Sequence, residues 1–199
     1  MVLASLIESQ NGRVLAFFDN KKMPSILTGI PVFLGEIGFN TWIRERGDVS
    51  NVNGLVAIGG HRGAERVKIQ SIFRAAGLKL DPLIHPTAFV CKTASLGEGS
   101  QILAQAVVAA NSKLGDSCIV NHKASVDHES VLGDGVHLAP GATVCGCVTI
   151  GDNVMVGAGA VILPRIKIGH DSIIGAGAVV TKNVPAQSVI VGNPGRLRY

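Results

Sequence analysis

The 199-residue sequence predicts a small α/β unit followed by a long parallel β-helix. Two patterns carry that expectation. From Ile84 onward an aliphatic residue returns at every sixth position, through Val90, Leu96, Ile102 and Val108, without a slip as far as Val180. Before it, strand-like and helix-like stretches alternate, and KLDPLIHPTA (79–88) joins the two patterns. The expected division is residues 1–80 and residues 81–199.

The period decides the element type. A helix of 3.6 residues per turn cannot keep a six-residue stripe on one face, and a half-buried strand shows period two. Short strands joined by tight turns do keep it. If three hexapeptides make one triangular coil, residues eighteen apart stack at the strand spacing of about 4.8 Å, and the aliphatic column fills the axis. Four positions after each aliphatic residue stands a mostly small one, as at Ala88, Ala94, Ser100, Ala106 and Ser112. That lets the walls close. Glycine often follows the aliphatic residue directly, as at Gly97, Gly115 and Gly133. The pattern is that of a solenoid.

In the first eighty residues, RVLAFFDN (13–20) and GLVAIGG (54–60) read as buried strands, and GIPVFLG (29–35) as a short one between them. NTWIRER (40–46) reads as helical. RGAERVKIQSIFRAA (62–76) carries apolar residues at helical spacing and stops at Gly77. Alternating strands and helices imply a parallel α/β unit, in which ligands collect beyond the carboxyl ends of the strands. Asp19 and Asn20 end one strand, and Gly59, Gly60 and His61 end another. IGGHRG (58–63) offers backbone N–H groups to a phosphate at a helix start. An ordinary strand-to-helix turn, and a turn cap at Asp19, are the competing readings.

Composition narrows the partners. A net charge of +4 with 4% aromatic residues lacks the basic runs and stacking platforms of a nucleic-acid binder. The opening MVLASLIESQNGRVLAFFDN has no basic leader region, no small-residue cleavage site and no apolar run long enough for a bilayer. A cytoplasmic protein with no membrane insertion is the expectation. Cys91, Cys118, Cys145 and Cys147 show no C-x-x-C spacing and read as reduced packing thiols.

The stretch CIVNHKASVDHESVLGDGVHLAPG (118–141) concentrates three histidines. His122 and His128 are six apart and so stand on successive sides of the triangle, pointing in different directions within one chain. A metal site is therefore not expected. The eighteen-residue offset puts the Gly146 N–H one coil spacing from His128, where an imidazole base and an amide donor serve one reacting carbon. Pro164 follows on the same corner. His137 is placed facing outward before Leu138. His85 is read as capping the solenoid entrance, and His122 and His170 as surface residues.

The α/β unit, LIHPTAFV, the coil containing SVDHES and the ending IVGNPGR together resemble the hexapeptide-repeat acyltransferases that acetylate nucleotide-linked amino sugars or sialic acid. GDP-perosamine N-acetyltransferases are the nearest in pattern. The resemblance implies a left-handed winding, a homotrimer with sites between subunits, and acetyl-CoA as co-substrate with no metal. It implies transfer to the 4-amino group of a nucleotide-linked amino sugar for surface polysaccharide synthesis. Sialic acid O-acetylation and a non-catalytic trimeric solenoid are the alternatives.

The resemblance also assigns roles. His128 is the general base, a task for which imidazole chemistry is suited near neutral pH. Glu129 orients it, with Asp127 the alternative, and the Gly146 N–H supports the oxyanion. His137, Gly146, Gly157, Ala158, Gly175, Ala176 and Lys182 are assigned to acetyl-CoA, with Arg196 a further phosphate candidate. Asp19, Asn20, Gly59, Gly60 and His61 are assigned to the sugar nucleotide. Family members open with a strand and a Gly-Gly-His turn, whereas MVLASLIES reads as the following helix. A truncated Rossmann-like unit with one open sheet edge is thus expected.

Overall fold

The computed structural model describes residues 2–198. They divide into two compact units, residues 2–52 with 76–78 and residues 53–75 with 79–198, so residues 53–75 fall with the coils and not, as expected, with the first eighty residues.

In the first unit, helix α1 (Val2–Ser9) precedes strand β1 (Phe17–Asp19), strand β2 (Val32–Leu34) and helix α2 (Gly35–Arg46). The two strands pair in parallel, with Phe18 opposite Phe33. Their aromatic side chains form the centre of this unit. Phe18 stacks on Phe33 at 5.7 Å and meets Phe39 and Trp42 edge-on at 5.2 and 5.6 Å. Arg46 covers the Trp42 ring at 5.3 Å, a cation–π contact that shields the cluster from water.

In the second unit, three stacked sheets make a triangular parallel β-helix. Strand residues pair with those eighteen ahead, as Ser125 with Thr143 and Val126 with Val144. The aliphatic column lies inside, with Ile102, Val108, Val120, Val126, Leu138, Val144 and Val156 at 0% exposure. Each such side chain contributes about 1.5–3 kcal/mol of apolar burial. The small column closes the corners. Ser112 and Ser130 are fully buried, and their hydroxyls donate to the Asp127 and Cys145 carbonyls, so closure leaves no orphan donor there. These repeats and stacked parallel sheets fit a left-handed β-helix.

The turns have one recipe. At six-residue steps from Gly99 to Gly177 the same turn residue has positive φ, including non-glycine residues such as Glu129 (58°) and Cys147 (59°). A positive φ at the third residue is the mark of a type II turn, which makes the residue before it the second of the turn. His122 and His128 both hold that second place.

Residues 54–60 are not a strand, contrary to the expectation for GLVAIGG. Beside them Asn53 makes an isolated parallel bridge to Lys79. The reason lies in where their backbone groups go. The Val56 carbonyl accepts from Gln101 Nε2 at 2.9 Å, and the Ile58 carbonyl from Arg66 Nη1 at 3.0 Å. Side chains have taken the place of a neighbouring strand. Helix α3 (Gly63–Ala75) follows, and its Arg66 is fully buried without a carboxylate partner. The guanidinium donates to the carbonyls of Ser117, Ile58 and Gly135 at 3.1, 3.0 and 2.5 Å. Five donors in a fixed fork suit Arg66 to this task. Gln70 adds a bond to the Glu98 carbonyl at 2.9 Å, and a β-carbon at residue 63 would lie 2.9 Å from Asn153 Cα. The absence of one lets α3 lie flat on the coils.

Candidate active site

The solenoid brings His128 and Gly146 together. Asp127 Oδ1 accepts the His128 N–H at 2.7 Å, which fixes the start of the turn. The Cys147 N–H donates to the His128 carbonyl at 2.9 Å, which fixes the next coil over it. The imidazole then lies against the Gly146 backbone, so closely that a β-carbon at 146 would sit 2.5 Å from Nε2 and 2.7 Å from Cε1. His128 is exposed while Gly146 is buried. Among the described residues the Gly146 N–H has no acceptor, so a donor stands free beside the ring.

Neither acid hydrogen-bonds the His128 ring. Asp127 is engaged with the turn backbone. The Glu129 carboxylate accepts from Cys147 Sγ at 3.4 Å, and that bond, with the negative charge of Glu129 behind it, holds the Cys147 thiol above the usual range. The sequence pattern makes Cys147 a packing residue, but it lines the surface beside His128. The eighteen-residue step from Glu129 was the signal for it.

His137 is buried at 6% exposure rather than facing outward to solvent. Its strand does point the side chain away from the solenoid axis, but residues 59 and 60 cover it. The Gly60 N–H donates to Nδ1 at 2.8 Å, and Asn121 Nδ2 stands 3.4 Å from Nε2. Burial pushes its imidazole below the ordinary value, with the Gly60 contact opposing and Arg66 assisting. The Gly60 N–H, expected to face a phosphate, is thus occupied. Gly59 and His61 remain exposed.

The other assigned residues spread over separate places. Gly157 and Ala158 stack beneath Gly175 and Ala176, the Gly177 N–H meeting the Ala158 carbonyl at 2.8 Å. This corner also carries His122 and Pro140, not His128. Lys182 and Arg196 are exposed, with Lys182 one eighteen-residue step beyond Pro164. In the first unit Asp19 Oδ1 accepts the Lys21 N–H at 2.7 Å, a turn cap, and Asn20 is exposed. His85 Nδ1 accepts the Thr87 N–H at 3.0 Å, and His170 pairs with Asp171 at 2.8 Å. Cys118 is buried, its thiol pushed up to about 12 by desolvation, and the four cysteines are free. No helix among the described residues is long and apolar enough to cross a membrane.

The repeat is matched by a family model described as bacterial transferase hexapeptide (six repeats), over residues 129–164 and 147–182. Among curated proteins, none matches. Three solved structures extend the likeness to nearly the whole chain. A mutant of perosamine N-acetyltransferase from Caulobacter crescentus, in complex with CoA and GDP-perosamine, is 31% identical, covering 100% of this chain and 91% of that one with a TM-score of 0.91. The acetyltransferase domain of PglB from Neisseria gonorrhoeae, in complex with acetyl coenzyme A, is 33% identical, covering 99% and 93% with a TM-score of 0.87. WeeI from Acinetobacter baumannii is 30% identical, covering 98% and 93% with a TM-score of 0.84. A triangular hexapeptide coil with a free amide beside an exposed histidine, and this likeness over both units, lead to one conclusion: the chain belongs to the hexapeptide-repeat acyltransferase family, on the branch that holds perosamine N-acetyltransferase.

Proposed function

We propose that the protein transfers the acetyl group of acetyl-CoA to the 4-amino group of a nucleotide-linked amino sugar resembling GDP-perosamine, for surface polysaccharide synthesis. The single observation that carries this is the His128 imidazole packed against Gly146, whose N–H has no acceptor among the described residues.

The reaction follows from that pair. The sugar amine, in its neutral form, attacks the thioester carbonyl, and the carbonyl oxygen gains negative charge. The Gly146 N–H donates to that oxygen as charge develops, a preorganised donor that needs no rearrangement. His128 accepts the proton that the nitrogen sheds as the C–N bond forms. The C–S bond then breaks, and the proton passes to the departing CoA thiolate. Glu129, the next residue in the same turn, steadies the imidazolium by its charge. A carboxylate near a newly charged ring stabilises it even without permanent contact.

Residues 81–199 supply the transfer chemistry, with CoA along Gly157, Ala158, Gly175, Ala176 and Lys182. The residues before the coils are assigned to the nucleotide sugar: Asp19 and Asn20 in the first unit, a truncated Rossmann-like one, and, within the second unit, Gly59, Gly60 and His61, of which Gly60 has its N–H engaged by His137. His137 serves by carrying the Gly59 and Gly60 turn. A cytoplasmic homotrimer is the proposed state. Phe89 and Val107 pair in register on one sheet at 59% and 36% exposure, apolar surface suited to a neighbouring copy.

The test is to offer GDP- and UDP-linked 4-amino sugars with acetyl-CoA and identify the product by mass spectrometry. An N-acetyl sugar is expected, and His128→Asn lowers kcat by about 10²–10⁴-fold. Wild-type turnover in that variant refutes the base assignment. Inactivity of the folded wild type towards every amino sugar refutes the reaction.

A further inference from the structure

One cluster at this corner has more capacity than the transfer uses. His128 nitrogen, a Glu129 oxygen and Cys147 sulfur all lie within 4.8 Å of one another. Cys147 is no part of the proposed acetyl transfer. It sits one coil beyond Glu129, at the same turn position, and both residues have positive φ. Their side chains therefore leave the turns side by side, and His128, the second residue of its turn, completes a small triangle of donors.

The geometry suits a tetrahedral d-block ion. Zinc holds nitrogen and oxygen at about 2.0–2.1 Å and sulfur at about 2.3 Å, which sets tetrahedral donor atoms roughly 3.5 Å apart. Cys147 Sγ and Glu129 Oε2 already stand at 3.4 Å. The charge balances as well. A carboxylate and a thiolate neutralise a divalent cation, which takes the place of the thiol proton now shared with Glu129. Arg165, whose charge is felt at Cys147, works against any cation there. A thiolate bond is the contact able to overcome it, which favours zinc or cobalt over magnesium or calcium. Three protein donors leave a fourth position for water.

We propose that His128, Glu129 and Cys147 form a binding site for a divalent transition-metal ion of the zinc class, and that the bound ion shuts off transfer by occupying the base. The ion is an inhibitor in this arrangement, not a cofactor. Binding rests on the triangle alone. Inhibition rests on the reading of His128 as the base.

The experiment uses the full chain, with cobalt(II) and zinc(II) as probes and a reductant that contains no thiol. Cobalt(II) is expected to bind one ion per chain, with a near-ultraviolet thiolate-to-cobalt charge-transfer band. Cys147→Ser is expected to lose the band and weaken binding by at least about tenfold, the loss seen even for an outer-shell partner. A Cys91→Ser, Cys145→Ser double variant keeps both. In the transfer assay, read by mass spectrometry because zinc would bind the released CoA thiol, zinc inhibits the wild type. Cys147→Ser retains basal transfer and resists zinc. A band that survives in Cys147→Ser, or that vanishes only in the double variant, overturns the site. Zinc inhibition equal in wild type and Cys147→Ser overturns the shut-off. If the metal-free wild type acetylates no amino sugar while the band still depends on Cys147, the proposed reaction fails and the metal site stands.

Discussion

His122 and His128 occupy the same place in two turns six residues apart, yet only one is placed for chemistry. Each has its N–H capped by the residue before it, His122 by Asn121 at 2.8 Å and His128 by Asp127 at 2.7 Å. Each offers its carbonyl to the next coil, to Gly141 and to Cys147. The difference lies one coil on. Over His122 stands Pro140, which has no N–H and carries a ring. Over His128 stands Gly146, with an open N–H and no side chain. A repetitive backbone makes many equivalent histidine positions, and the residue eighteen further along decides which of them has a reacting site.

Gly146→Ala should have the largest effect. The added β-carbon would displace the tip of a movable imidazole rather than backbone. Turnover should fall by about 10²–10³-fold, as when an oxyanion donor is disturbed, while the thermal midpoint stays close to wild type. Loss of folding together with activity would instead make Gly146 a packing residue.

His137 lies on a strand rather than at a corner. Its folded-state imidazole is held below the ordinary value by burial, so the unfolded chain takes up the proton more readily. The stability it contributes is therefore complete above the unfolded value of about 6.5, and drains as pH falls through the depressed folded one. Urea unfolding at a series of pH values should show this slope, reduced in His137→Gln. An unchanged slope would mean that the Gly60 contact opens before the ring titrates.

The smallest effect belongs to His122→Ala. With Pro140 above it, removal should change stability by less than about 0.5 kcal/mol, and turnover should stay within about twofold. A large loss of activity would erase the distinction between the two corners.

The periodic part of this molecule is legible in the sequence because each wall position is repeated. Ile84 to Val180 shows both the coil and the eighteen-residue neighbour, and so brings Gly146 to His128. What escapes is contact made once. Residues 54–60 look like a strand, but Gln101 and Arg66 satisfy their carbonyls from 45 and 8 residues away. His137 looks like an outward residue because its cover, Gly60, is 77 residues distant. Arg66 gave a weak signal, a charged residue among the apolar positions of its helix, with no pattern naming its acceptors. Cys147 was readable by the same offset that found Gly146, but an aliphatic setting made it look like filling.

The three carbonyls that hold Arg66 have a consequence for the order of assembly. Two of them, Ser117 and Gly135, leave the ribosome some fifty and seventy residues after the arginine they receive. Helix α3 cannot settle until those coils have wound, so during synthesis an earlier segment waits for a later one. A chain halted before Gly135 would emerge with its guanidinium still hydrated and its helix undocked.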